Sequence, residues 1–154
     1  MNRHRAILAL PILLLACDDP TGVYDEPPDL SGLYRLVSWT SADWTDGVEA
    51  TPPRVEGVLG ITQHRATDRF ATGEWRIGLR VNRPNGYSSG GLDGTYVNDS
   101  FGGMAAENMV SGKYTFEDGV LITKLSSPLA NRDPPPLWPM GEAVWEPCPT
   151  CSAR

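Results

Sequence analysis

The clearest pattern in the chain is a strict alternation of apolar and polar residues over residues 74–82. Its apolar members are Trp75, Ile77, Leu79 and Val81. A strand places every second side chain on one face, whereas a helix would scatter four residues at this spacing around its circumference. This segment is therefore predicted to be a β-strand that buries the four side chains.

Similar patterns predict further strands. The candidates are residues 31–40, 54–63, 113–116 and 120–125, with shorter ones at 95–97 and 143–145. Both faces of 31–40 carry apolar side chains. Glu117-Asp118-Gly119 separates two of the candidates and predicts a hairpin, because Gly readily adopts the positive φ of a tight reversal. Ala105–Val110 is the only segment that suggests a helical turn. Many short strands with Gly- and Pro-rich turns predict an all-β antiparallel barrel or sandwich.

Composition and length favour a single globular domain without long helices. The 154 residues fit one domain, and 16 Gly with 14 Pro argue against long helices. Hydrophobic residues make up 40% and charged residues 21%, as in ordinary globular chains. The net charge of −6 argues against a nucleic-acid partner, whose phosphates would be repelled.

The N-terminus has the order of a signal peptide. Arg3 and Arg5 precede an apolar run over residues 6–16, which is too short to span a bilayer, since a spanning helix needs about 20 residues. The run ends in Leu14-Leu15-Ala16-Cys17, which resembles the lipobox of bacterial lipoprotein precursors. The resemblance implies that a diacylglycerol is joined to Cys17 and that the chain is cut before it. The alternatives are an ordinary secretory signal with an incidental cysteine, or a buried helix of the mature fold.

This interpretation divides the chain into four parts. They are a signal peptide (1–16), an acidic, Pro-rich tether (17–29), a barrel domain (30–146) and a C-terminal tail with a CxxC motif (147–154). Cleavage would remove Arg3 and Arg5 and change the net charge from −6 to −8. The tether has too few branched apolar residues to fold alone. We expect a lipid-anchored protein of the bacterial cell envelope that faces the periplasm or the exterior, in either membrane.

Two segments resemble lipocalin-like proteins. Gly32-Leu33-Tyr34, within the run from Leu30 to Ser38, resembles their opening Gly-x-Trp strand, with Tyr34 in place of the Trp. The hairpin from Gly112 to Thr123 resembles the late strands of small calycin-type barrels. The resemblance covers residues 30–146 and implies a small up-and-down barrel, with at most one short helix, that can enclose an apolar cavity.

The cysteine pair Cys148 and Cys151 has three interpretations: a redox dithiol, half of a metal site, or a small disulfide. A redox motif of this spacing normally opens a helix, and none is predicted here. A tetrahedral metal site needs two further ligands, and His64 is the only His of the mature chain. A structural disulfide in an oxidising compartment is therefore favoured.

The sequence offers no catalytic constellation. It contains neither a recognisable Ser-His-Asp set nor a phosphate-binding loop, and His64 near a turn is interpreted as a solvated side chain. The carboxylates Asp43, Asp46 and Glu49 share one loop and are interpreted as solvating groups. The proline-rich segment Asn131–Pro139 is interpreted as a stiff connection across a barrel end. We therefore predict no enzyme activity, no metal and no cofactor.

Two functions follow from different classes. The first is a binding module that holds a small apolar ligand inside the barrel. Its ligand residues would be Tyr34, Trp75, Ile77, Leu79 and Val81. The second is a structural or interaction lipoprotein with a filled barrel, which acts through loops such as Ser41–Pro53 or Tyr87–Gly94. The same alternation produces both barrels, so the sequence leaves the choice open, as it does the identity of protein partners.

Overall fold

The computed structural model describes residues 24–106, 110–126 and 140–152. Arg3, Arg5, Cys17 and the connection Asn131–Pro139 lie outside these ranges. The described residues form eight strands: β1 (Gly32–Thr40), β2 (Val55–Ala66), β3 (Phe70–Arg83), β4 (Gly86–Asp99), β5 (Gly103–Ala106), β6 (Val110–Glu117), β7 (Val120–Ser126) and β8 (Gly141–Pro147). No helix occurs among them, and hence none that is long and apolar enough to cross a membrane.

The strands close into one antiparallel barrel in which each pairs with its neighbours in sequence. β1 completes the closure by pairing with β8, from Tyr34 opposite Pro147 to Thr40 opposite Glu142. The predicted all-β, up-and-down antiparallel barrel is confirmed. β3 and β4 are the longest strands, and their ladder continues from Phe70 opposite Asp99 to Arg83 opposite Gly86.

The predicted faces of β3 are confirmed. Trp75, Ile77 and Val81 are buried in the core and Leu79 is half-buried, while the intervening Arg76 is exposed. The pleat alternates side chains between the two surfaces of the sheet, so a period-2 sequence places its apolar half inside the barrel. Burying Ile77 and Val81 contributes about 1.5–3 kcal/mol each.

A bulge in β1 explains why both faces of its sequence are apolar. The register with β8 shifts between Leu36, which pairs with Trp145, and Ser38, which pairs with Val144. The extra residue reverses the alternation, so Leu36 and Trp39 both point into the core despite their odd spacing. The Trp39 Nε1–H then donates to the Met140 carbonyl oxygen at 3.0 Å.

The hairpin predicted between β6 and β7 is confirmed. Asp118 and Gly119 form its two-residue turn with φ of 51° and 81°. Positive φ at both positions matches the right-handed twist of the flanking strands, which is the reason such turns join antiparallel neighbours.

Two sequence-based assignments are wrong. The helical turn expected at Ala105–Val110 is replaced by strand structure at its described residues, because Ala105 and Ala106 end β5 and Val110 begins β6. Tyr87–Gly94 is also not a loop but the first part of β4. This segment was not recognised as a strand because its glycines and serines give no alternation of apolar and polar residues. Its backbone is extended because it pairs with β3.

Candidate functional site

The residues predicted to hold an apolar ligand are brought together inside the barrel. Tyr34, Trp75, Ile77 and Val81 each expose 3% or less of their surface, and Leu79 packs against the same core. All five side chains therefore belong to the core, and their role in ligand binding stays a prediction.

The interior beside Leu79 and Val81 is filled by two tryptophans. Trp39 comes from β1 and Trp44 from the loop that follows it, and their rings stack with centroids 6.3 Å apart. The space between these rings, Leu79, Val81 and the facing part of β4 measures about 10 Å³. A water molecule needs at least this much room, so no ligand-sized cavity exists at this position.

We call the opposite end of the barrel the strap end. It carries the turns at residues 67–69, 100–102 and 118–119, and the N-terminal segment 24–31, the strap, packs across it. Leu30 is fully buried there, and its carbonyl oxygen accepts a hydrogen bond from the Tyr34 hydroxyl at 2.8 Å. The described part of the expected tether thus packs onto the barrel, which differs from a fully solvated segment; residues 17–23 lie outside the described ranges.

Three buried tyrosines near the strap end have raised pKa values. Burial raises the pKa of Tyr34 to about 12, and the nearby Asp29 carboxylate adds to the effect. Burial also raises the pKa of Tyr114 to about 12, although a hydrogen bond from Asn98 opposes the shift. The pKa of Tyr96 is raised too, by burial first and by Asp29 second. All three hydroxyls are therefore protonated at neutral pH and serve as fixed hydrogen-bonding groups.

A groove of about 1010 Å³ that is open to solvent lies on the outside of the barrel. Two rows of outward-facing residues on β2, β3 and β4 line it. They are Gly60, Arg76 and Asp93 in one row and Thr62, Glu74 and Thr95 in the next. Pro147 and Pro149, from the end of β8 and the tail, also border it. We call this region the outer groove.

The outer groove is polar and carries both signs of charge. Arg76 on β3 lies directly opposite Asp93 on β4. On its other side Arg76 lies opposite Gly60 of β2, which has no side chain. Just beyond it, the His64 Nε2 lies 3.5 Å from a Glu74 carboxylate oxygen, and both side chains are exposed. Among the described residues no three His, Cys, Asp or Glu side chains are grouped as metal ligands. The outer groove therefore presents hydrogen-bonding groups and charges of both signs to the solvent.

The tail beside the outer groove is fixed by a disulfide. Cys148 and Cys151 are joined, with an S–S distance of 2.03 Å, so the favoured interpretation of the CxxC motif as a disulfide is confirmed. The Cys148 backbone N–H also donates to the Leu33 carbonyl oxygen at 2.6 Å, which extends the pairing of β8 along β1. The cross-link therefore shapes the tail where it meets the groove.

Sequence reasoning missed the outer groove as a site. The alternation of β3 placed Arg76 on the outer face, but it could not reveal which residues of β4 lie beside it. Trp44 was missed as well, because its loop has no periodic pattern. A Trp between polar loop residues was the one available signal, since exposed loops rarely need so large an apolar group.

The fold defines a class: a small, closed, eight-stranded antiparallel β-barrel, compatible with a lipocalin-like fold. No family model, curated protein or solved structure matches this chain.

Proposed function

We propose that this chain is a lipid-anchored lipoprotein of the bacterial cell envelope whose barrel is a filled scaffold for interactions. In this proposal the outer groove binds a partner through Arg76, Asp93 and the neighbouring polar groups. The observation that carries it is the contrast between the packed interior, with about 10 Å³ left beside Leu79 and Val81, and the open groove of about 1010 Å³.

The lipid anchor is supported by the order of residues at the N-terminus. A basic head, an apolar run, a small residue and Cys17 follow one another as in lipoprotein precursors. The Cys148–Cys151 disulfide supports an oxidising compartment outside the cytoplasm. Two acyl chains on Cys17 would hold the protein stably at a membrane, which one chain would not.

The anchor is tested by intact mass spectrometry of protein extracted from the membranes of a bacterial host. We expect a chain that begins at Cys17 and carries the mass of its acyl groups. The variant Cys17→Ala should lose the modification. A wild-type chain that keeps residues 1–16, or whose Cys17 lacks fatty acid, would contradict the proposal.

The groove is tested by site-specific photocrosslinking in whole cells. A crosslinking residue at Thr62, which lines the groove and leaves Arg76 and Asp93 in place, should give discrete adducts with a partner. The matched control is a crosslinker at Lys124, which is exposed on the outer face of β7. Charge reversal by Arg76→Glu should weaken the Thr62 adducts without unfolding the barrel. Equal adducts at both positions, or none at Thr62, would argue against the groove.

A small apolar ligand is the second candidate. Gly90 pairs with Leu79 and Ser88 with Val81, so β4 presents small groups to the interior where Trp44 packs. The buried Trp44 Nε1–H has no hydrogen-bond acceptor within the described part of the chain. A ligand would therefore have to displace Trp44, and Trp44→Ala should increase the binding of a fluorescent fatty acid. Native extraction with identification of co-purifying small molecules tests the same candidate.

A further inference from the structure

Three exposed apolar side chains lie together at the strap end, and we call them the rim patch. Phe70, Val97 and Phe101 expose 53%, 41% and 58% of their surfaces. Exposed aromatic groups that are close together are uncommon on a soluble surface and mark places where a partner or a membrane is contacted. Within the described ranges, the other large exposed apolar residues are Val48, Tyr87 and Ile122, and they lie elsewhere on the barrel.

Strand register places the members of the rim patch on one outer surface. Phe70 pairs directly with Asp99, and Val97 is the diagonal neighbour of Phe70 on the same face of β4. The turn that contains Phe101 is tied to the start of β3, because the Ser100 backbone N–H donates to the Arg69 carbonyl oxygen at 3.1 Å. The patch therefore covers the rim formed by the β2–β3 and β4–β5 turns.

The strap joins the barrel at the same rim. The Tyr24 backbone N–H donates to the Ser100 carbonyl oxygen at 2.7 Å, one residue from Phe101. Only seven residue steps separate Tyr24 from Cys17. Even fully extended, they span about 25 Å at roughly 3.5 Å per residue. A lipid on Cys17 would thus hold the rim patch close to the bilayer surface at a high effective concentration.

We infer that the rim patch docks on the lipid bilayer, with Phe70 and Phe101 inserted at the level of the headgroups. This inference rests on the proposed acylation of Cys17. The exposed cations Arg65 and Arg69 flank the patch and suit lipid phosphates. They are outnumbered by acids at the same end, so docking depends on apolar contact and favours zwitterionic over anionic lipid. These acids are Asp25, Glu26, Asp68 and Asp99.

Docking gives the barrel a definite orientation. The turns at residues 67–69 and 100–102 face the membrane. The loop at residues 41–54 and the β3–β4 turn, which lie at the other end of the barrel, point away from it. A partner in the aqueous compartment would then meet the barrel from its far end and from its sides.

The test uses the full chain, acylated in a bacterial host and placed in phosphatidylcholine nanodiscs. With Cys17 acylated and Cys148 disulfide-bonded, one added cysteine is the only free thiol. A nitroxide is attached at Asp68→Cys, in the β2–β3 turn, or at Val48→Cys in the far loop as the matched control. Electron paramagnetic resonance compares the accessibility of each label to oxygen, which is enriched in lipid, and to a water-soluble nickel complex.

We expect a severalfold higher oxygen-to-nickel ratio at position 68 than at position 48. The double variant Phe70→Ser/Phe101→Ser should lower the ratio at position 68 to the control value, whereas Tyr87→Ser should not change it. Circular dichroism checks that each variant keeps its barrel. Equal ratios at the two positions in acylated protein would overturn the docking inference and leave the anchor intact. Absence of acyl mass would instead refute the anchor, and the inference with it.

Discussion

Tyr24 and Tyr114 stack at the strap end with ring centroids 5.8 Å apart and ring planes 7° from parallel. The Tyr24 hydroxyl oxygen also accepts a hydrogen bond from the Phe116 backbone N–H at 2.6 Å. Tyr24 precedes every strand of the barrel, so these contacts join the strap to β6. Tyr24, which the sequence analysis assigned to an acidic, Pro-rich tether, therefore packs against the strap end of the folded barrel.

Tyr24→Ala is expected to lower the free energy of unfolding by about 2–3 kcal/mol, because it removes both an aromatic pair and a hydrogen bond. Tyr24→Phe keeps the stacking and should cost about 1 kcal/mol. Urea denaturation followed by circular dichroism measures both effects. Tyr87→Ala is the control, since Tyr87 is exposed beside the β3–β4 turn, at the end of the barrel opposite the strap. An Ala variant as stable as the wild type would show that the strap is not part of the folded unit.

The core of β3 gives a second prediction. Ile77 exposes 2% of its surface, so Ile77→Ala should cost about 2–5 kcal/mol. Ile77→Asp should unfold the domain, because it buries a carboxylate without a partner. Arg76→Ala, one residue away on the exposed face, should change stability by less than about 0.5 kcal/mol. Thermal melting distinguishes these outcomes, and an unchanged melting temperature for Ile77→Asp would contradict the packing of β3.

Local pattern was enough to predict much of the barrel, and β3 shows why. A half-buried strand needs apolar groups at every second position, so Ile77 and Arg76 reveal their faces directly. β1 was harder, because the bulge after Leu36 restores Trp39 to the core and no rule of sequence spacing marks a bulge. The first part of β4 could not be identified at all, since Gly and Ser are held there by pairing with β3 rather than by their own burial.

The site was less predictable than the fold. Whether a barrel is filled depends on which large side chains enter its interior, and Trp44 does so from a loop. The outer groove depends on register, which brings Arg76 beside Asp93 across two strands. Both are consequences of tertiary packing, so neither is encoded in a short stretch of sequence.

Gly73 is expected to tolerate no side chain. A Cβ at this position would clash with the Thr62 carbonyl oxygen and would lie 2.6 Å from the Tyr96 ring. Gly73→Ala should therefore cost about 1–3 kcal/mol through overpacking. Gly91 lies on the exposed face of β4, and a Cβ there would lie 3.3 Å from its nearest neighbour, the Ile77 carbonyl oxygen. Gly91→Ala is therefore expected to lower the free energy of unfolding by less than Gly73→Ala. Denaturation midpoints of the two variants test the difference, and equal midpoints would contradict the close approach of Tyr96 to β3.

The tail disulfide should contribute little to global stability. Cys148 and Cys151 are separated by only three positions, and so short a loop restricts the unfolded chain weakly. The double variant Cys148→Ser/Cys151→Ser is expected to lose about 2 kcal/mol or less. Thr150→Ala, which leaves the cross-link intact, is the control. Urea denaturation with and without reductant makes the measurement, and global unfolding on reduction would refute this view of the tail.

Alkaline pH should destabilise the barrel through its buried tyrosines. In the unfolded chain a tyrosine ionises near pH 10, whereas burial raises the pKa of Tyr34 and of Tyr114 to about 12. Above pH 10 the unfolded state therefore releases protons that the folded state retains. The stabilising contribution is complete below about pH 10 and is lost as the pH rises through about 12. Urea midpoints should be flat from pH 7 to 9 and fall steeply above pH 10.

Absorbance at 295 nm reports tyrosine ionisation in the same samples, and it should rise with unfolding for the buried residues. Tyr34→Phe removes one of the groups that ionises only on unfolding, so the slope of stability against pH should decrease by about one proton. Its lost hydrogen bond to Leu30 lowers stability equally at every pH, which separates the structural effect from the titration. An unchanged slope, or ionisation of Tyr34, Tyr96 and Tyr114 near pH 10 while the barrel is still folded, would contradict the burial of these hydroxyls.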